Sequence, residues 1–118
     1  MPGRLPRLTR RSEFLRVAGR GRKAARPGLV LQALPSAEEE PLSVGFTATK
    51  KIGNAVVSNR AKRRLREAAR LTLSAEAVPG WDLVLIARDG TAKRPFAQLL
   101  GDLRGALRQA GVPAEGGA

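Results

Sequence analysis

Apolar positions along the chain change period several times, and each change marks an element. From Thr9 to Ala18, with Leu8, Phe14, Leu15 and Val17 supplying apolar contacts, the pattern predicts a short helix. Thr9 or Ser12 would cap it, and Gly19 and Gly21 end it. Pro27-Gly28 then opens a strand over Leu29 to Leu34. Strict alternation there turns Leu29, Leu31 and Ala33 to one face and Val30, Gln32 and Leu34 to the other. A polar turn, Pro35 to Pro41, carries Glu38-Glu39-Glu40 and leads into a second strand, Leu42 to Thr49, rich in Val, Phe and Thr. The short connection predicts that these two strands pair antiparallel.

A connector from Lys50 to Ala55 precedes a helix from about Val57 to Leu73. At 100° per residue Val57, Ala61, Leu65, Ala68 and Thr72 fall on one narrow stripe. Lys62 and Arg66 flank the stripe on one side and Arg60 and Arg64 on the other, while Arg63 and Arg70 point away. After Pro79-Gly80, the run from Trp81 to Arg88 is almost continuously apolar, as in a strand buried on both faces. Pro95 starts a last helix, Phe96 to Ala110, with Phe96, Leu99, Leu100, Leu103 and Leu107 at helical spacing, stopped by Gly111 and Pro113. Together these predict one α+β domain over residues 1–118, with three helices on about three main strands of a single sheet. Residues 1–8 and 114–118 read as flexible. Phe46 and Phe96 read as core, and Trp81 as a partly buried residue at the margin of a strand.

Composition narrows the chemistry. Hydrophobic residues make up 42% of the 118 positions but aromatics only 3%, so the core is built from Leu, Val, Ile and Ala. There is neither cysteine nor histidine. Disulfides and thiolate metal sites are excluded, and so is the commonest general acid–base. The few acids are scattered, and Glu38-Glu39-Glu40 on a turn do not converge, so no nucleophile–base pair or two-metal carboxylate site is visible. No apolar run reaches the roughly 18 residues of a membrane span. The basic N-terminus has no apolar segment behind it to make a secretory signal, so the expected location is the cytoplasm.

Charge points to a partner. Twenty-two Lys and Arg against ten Asp and Glu give a net charge of +12, and nucleic acid is the default partner of a domain this basic. The cations form two blocks. Residues 1–26 hold Arg4, Arg7, Arg10, Arg11, Arg16, Arg20, Arg22, Lys23 and Arg26 against Glu13 alone. Residues 50–70 hold Lys50, Lys51, Arg60, Lys62, Arg63, Arg64, Arg66 and Arg70 against Glu67 alone. A helix face that is merely solvated interleaves both signs; here only Glu67 compensates, through Arg63 or Arg64. Gly53 lets backbone approach a phosphate, the helix start offers free N–H groups, and Asn54 and Asn59 add neutral donors and acceptors. A membrane-surface helix would carry larger apolar residues than this stripe does. The block from Lys50 to Arg70 is therefore read as an RNA-binding surface.

The same segment resembles the signature of the protein subunit of bacterial ribonuclease P. It reads Lys50-Lys51-Ile52-Gly53-Asn54-Ala55-Val56, then Ser58-Asn59-Arg60-Ala61-Lys62-Arg63, then Arg66-Glu67. The resemblance extends to Leu8, Glu13-Phe14, Val17 and Gly21-Arg22 before it and to Asp82-Leu83-Val84 and Ala87-Arg88 after it. Ser58 stands where the family has the first arginine of its Arg-Asn-Arg triplet. The resemblance implies an α/β sandwich like that of a ribosomal protein, with a mainly antiparallel sheet and a left-handed βαβ crossover; general rules favour the right-handed form. It implies that Lys50, Lys51, Gly53, Asn54, Asn59, Arg60, Lys62, Arg63 and Arg66 contact the ribonuclease P RNA, with Asn54 and Asn59 near its metal sites. It further implies that Phe14, Ala18, Val30 and Gln32 line a cleft for the single-stranded 5′ leader of precursor tRNA. The family often has a second aromatic where Ala18 stands. In that reading the RNA subunit, with bound Mg2+, carries out the hydrolysis, the protein holds no metal alone, and no stable protein oligomer is expected. The competing classes are a ribosomal or other structural RNA-binding protein, and a protein-only nuclease.

Overall fold

The computed structural model describes residues 5–73 and 78–113; the flexibility expected of residues 1–4 and 114–118 falls outside them. Three helices and four strands follow in the order α1 (Arg11–Arg20), β1 (Arg22–Arg26), β2 (Leu29–Pro35), β3 (Ser43–Ala48), α2 (Ala55–Thr72), β4 (Trp81–Ala87) and α3 (Phe96–Ala110), with a 3-10 turn at Lys50–Ile52.

The strands form one mixed sheet in the order β1-β2-β4-β3. Two sequence expectations are corrected here. β2 and β3 do not pair with each other. β2 lies antiparallel to β4, with Leu31 opposite Leu85, and β3 lies parallel to β4, with Val44 opposite Leu83. The central place goes to β4 because Asp82 to Leu85 and Ala87 are all buried, and an inner strand is covered on both faces. Strand β1 is an addition to the three main strands expected. Its sequence, Arg-Lys-Ala-Ala-Arg, buries only Ala24, so no apolar alternation announces it. It is held as the outer arm of a hairpin with Arg26 opposite Leu29, which makes Pro27-Gly28 a two-residue turn.

The alternation read in β2 sorts the two faces. Leu29, Leu31 and Ala33 join Leu83, Leu85, Leu65, Leu99, Leu103 and Leu107 in the main core, between the sheet and α2 with α3. The opposite face carries a small second cluster, Leu8, Val17 and Val84, flanked by Phe14, Leu34 and Ile86 under α1. The N-cap of helix α1 is Arg10 instead of Thr9 or Ser12: the Glu13 carboxylate accepts from the backbone N–H groups of Thr9 (3.1 Å) and Arg10 (2.9 Å). Those two donors, that of Arg10 foremost, hold the Glu13 carboxyl below its ordinary value.

The N-terminal segment belongs to the fold from Leu5 onward. Arg7 bridges to Val44, Leu8 N–H donates to the Val44 carbonyl at 3.1 Å, and Leu8 is buried. Residues 5–8, grouped with the flexible arm from sequence, thus run along the outer edge of β3. Arg7 also lies over the Phe46 ring, 5.5 Å from its centre, and Phe46 is half-buried, packed on the main core.

Two glycines test this packing in opposite directions. A Cβ at Gly45 would sit 2.6 Å from the Phe14 ring, whereas a Cβ at Gly101 on α3 meets nothing within 4 Å. Gly45→Ala is expected to destabilise the protein by about 1–3 kcal/mol through the forced shift of Phe14. Gly101→Ala is expected to stabilise it by about 0.5–1 kcal/mol, since alanine is the better helix former. Urea unfolding of both variants checks the pair.

Candidate nucleic-acid interface

The chain leaves β3 with Thr49 N–H donating to the Ala87 carbonyl at 3.0 Å, and then makes the 3-10 turn. Within that turn Ile52 is buried and anchors it, which turns Lys50 and Lys51 outward. Gly53 follows with φ 116°, a conformation that a side chain would strain. Asn54 then caps α2, its Oδ1 accepting from the Val57 N–H at 3.0 Å. The Asn54 oxygen is committed to the helix, so any contact it makes outward comes from its amide N–H groups. The cap also places the free N–H groups of the first turn beside Lys50 and Lys51, a setting that attracts an anion.

Along α2 the stripe of Ala61, Leu65, Ala68, Ala69 and Thr72 is buried, and Val57 at its start is half-buried. The cations divide by flank. Arg64 is structural: it donates to the Thr91 carbonyl at 2.6 Å and to the Arg94 carbonyl, and lies over the Phe96 ring. Arg70 is paired with Glu67, so the expected pairing of Glu67 with Arg63 or Arg64 is replaced by an i,i+3 bridge. Among the described residues no hydrogen bond or ion pair engages the side chains of Asn59, Arg60, Lys62, Arg63 or Arg66. Asn59, Lys62, Arg63 and Arg66 recur at i, i+3, i+4 and i+7, which makes one strip on the flank away from Arg64. Asn59 and Arg63 are exposed and Lys62 and Arg66 half-buried along their stems. Arg60 is exposed on the Arg64 side.

The residues expected at the second site lie on the other face of the sheet. Val30 and Gln32 are half-buried on the face that α1 covers in part. Phe14 is half-buried with its ring over Gly45, so part of it packs and part remains open; Ala18, one turn on, is exposed. The register adds positions that the sequence did not single out. Ile86 lies opposite Val30 and Thr47 beside Ile86, both half-buried, and Lys23 lies opposite Gln32, exposed. No local pattern could have revealed them, because their membership depends on strand order. Thr47 is also the link between the surfaces, three residues before Lys50, which opens the turn that follows β3. Helix α1 is further tied to the sheet by an ion pair from Arg16 to Asp82, a carboxylate only 6% exposed. Burial holds the Asp82 carboxyl above its ordinary value, against the lowering effect of Arg16.

Two further carboxylates are engaged within the fold, Asp102 on Arg94 and Glu67 on Arg70. Among the described residues no three acids, histidines or cysteines gather where a metal ion could be held. No described helix is long and apolar enough to cross a membrane. The division of labour among the arginines is checkable: Arg64→Ala is expected to cost about 1–3 kcal/mol in urea unfolding by orphaning two carbonyls, and Arg63→Ala less than about 0.5 kcal/mol.

Comparison with known proteins converges on one family. The model of the family described as Ribonuclease P matches residues 3–111. The ribonuclease P protein component of Gluconacetobacter diazotrophicus is 60% identical over 95% of this chain and 97% of its own length. That of Paramagnetospirillum magneticum is 50% identical, over 95% and 87%. Among solved structures, the Staphylococcus aureus RNase P protein superposes with a TM-score of 0.75 at 25% identity, covering 92% of this chain and 98% of that one. The capped cationic helix, the half-open face under α1 and these matches over nearly the whole chain agree: the chain belongs to the ribonuclease P protein family.

Proposed function

We propose that this chain, as the protein component of ribonuclease P, serves two RNAs at once. Lys50, Lys51 and the α2 strip of Asn59, Lys62, Arg63 and Arg66, with Arg60 beside it, hold the backbone of the ribonuclease P RNA. The groove between α1 and the sheet, with Phe14, Ala18, Val30 and Gln32, holds the single-stranded 5′ leader of precursor tRNA. The observation that carries the reading is the separation of the two surfaces. A cationic strip without partners among the described residues lies on α2, and a half-buried, weakly polar floor lies on the opposite face of the sheet.

Each surface suits its ligand. Exposed guanidinium and ammonium groups grip phosphates and release counterions, whatever the sequence. The floor can take unstacked bases, and the open edge of Phe14 can stack on one. Alanine at position 18 supplies no second ring, so stacking is confined to the Phe14 end. Hydrolysis of the phosphodiester bond leaves a 5′-phosphate on the tRNA and frees the leader. In this reading Mg2+ belongs to the RNA subunit, which carries the chemistry. The protein contributes positive charge between two polyanions. This lowers their repulsion and reduces the divalent ion concentration needed to bring them together. The amide groups of Asn54 and Asn59 are placed to meet RNA near those ions. The reading places the protein in the cytoplasm, where tRNA precursors are processed.

Reconstitution with a ribonuclease P RNA at low Mg2+ is the direct test. Added protein should restore 5′ cleavage of precursor tRNA; absence of any stimulation refutes the proposal, and binding without stimulation indicates a structural RNA-binding protein instead. Two variants separate the surfaces. Arg63→Ala/Arg66→Ala should weaken binding to the RNA subunit and lower the slope of log Kd against log salt by about 1 for each phosphate left without its arginine. Phe14→Ala should lower affinity for leader-bearing substrate by about 1–3 kcal/mol while affinity for mature tRNA changes little, as competition binding to the holoenzyme would show.

A further inference from the structure

Helix α1 forms one wall of the proposed leader groove, yet little apolar surface holds it. The cluster beneath it has only Leu8, Val17 and Val84 fully buried, against the large Leu-rich core on the other face of the sheet. Two specific contacts supplement it. The Phe14 ring rests on the bare backbone of Gly45, and Arg16 reaches across to Asp82. Asp82 lies on the α1 face of β4, two residues before Val84, in register with Leu34 on one side and Ser43 on the other. It is the carboxylate most withdrawn from solvent among the described residues, 6% exposed, while the Arg16 side chain stays half in solvent.

We propose that Asp82 is a positioning residue for leader binding: through Arg16 it fixes where α1 sits over the sheet and hence the width of the groove and the placement of Phe14. An ion pair built on a buried carboxylate is a poor source of net stability, because desolvating the carboxylate offsets most of the attraction. What it supplies is a preferred geometry, since a carboxylate left unpaired there is unfavourable and the observed placement of α1 brings Arg16 to it. Arg16 lies on α1 between Phe14 and Ala18, so a shift at Arg16 is a shift of the wall itself. A small apolar cluster tolerates sliding far better than a charge pair does, which makes the pair the register mark of the helix.

This inference rests on the leader-groove reading, and the experiment separates failure of one from failure of the other. Holoenzyme is assembled with wild-type protein, Asp82→Asn, Arg16→Ala, Arg16→Lys, Phe14→Ala and the double variant Arg16→Met/Asp82→Leu. Each is assayed for binding of precursor tRNA with a leader of several nucleotides and of mature tRNA, and each free protein is melted. Asp82→Asn and Arg16→Ala are expected to lower affinity for the leader-bearing RNA roughly threefold to thirtyfold with little change for mature tRNA, and Arg16→Lys to recover most of the loss. The double variant is the discriminating case. It should keep or raise Tm while still losing leader discrimination, which a purely structural role for the pair would not produce. If Phe14→Ala discriminates but Asp82→Asn does not, the positioning role is wrong. If only Arg16→Ala has an effect, Arg16 contacts RNA directly and the role is again wrong. Equal loss for both RNAs also overturns it. If Phe14→Ala itself fails to discriminate, the leader groove falls, and this inference with it.

Discussion

Two adjacent parallel strands cannot be joined by a turn, because the end of one lies the length of the sheet away from the start of the other. Strands β3 and β4 impose that constraint, and the arrangement of the cationic surface depends on it. Seven residues of β4 span about 23 Å, and the eighteen of α2 about 27 Å, so one helix returns the chain over the full sheet. The helix must begin where β3 ends. That puts the Lys50-Lys51 turn, the Gly53 bend and the Asn54 cap at one place, with the N–H groups of the first turn. It also dictates a buried stripe against the sheet, and leaves the remaining circumference free to carry charge.

The same constraint places the two candidate RNA surfaces within reach of each other without merging them. β3 contributes Thr47 to the floor under α1, and three residues later the turn that follows it contributes Lys50 to the cationic end. Four arginines around the turn after β4 and the β1–β2 hairpin are occupied by carbonyls and a carboxylate: Arg64 on Thr91 and Arg94, Arg94 on Asp102, Arg26 on Gly105, Arg88 on Arg26. Those four are tethered where the protein packs on itself, while Lys62, Arg63 and Arg66 stay open along one side of α2.

What could be read from sequence was whatever a local period encodes. The 3.6-residue stripe of α2, the alternation in β2 and the stops at Gly111 and Pro113 all recur in the structure because burial of one face dictates them. Non-local partnership could not be read. The short loop after β2 suggested a hairpin with β3, but β4 is apolar on both faces and takes the middle position between them. β1 has almost no apolar signal and exists because β2 supplies its hydrogen bonds. In the site, the residue types in the block from Lys50 to Arg66 were legible, while the withdrawal of Arg64 into the fold was not, since its acceptors come from a loop some thirty positions away. The groove floor was half legible: Val30 and Gln32 share a strand face, but Thr47, Ile86 and Lys23 join them only through register.

The two edges of the sheet are finished differently. Beside β3 lies the segment from Pro6 to Leu8, bonded to Val44. The opposite edge, β1, carries Arg22, Lys23 and Arg26 on a five-residue strand. An unpaired edge is an invitation to another chain, and a short strand dense in cations refuses it by repulsion while the covered edge refuses it by occupancy. A protein made apart from its RNA spends time as a free polycation with no partner to shield it. The cations of β1 keep such molecules from adding strand to strand, so resistance to edge-to-edge pairing before assembly is built into the sheet's own margin.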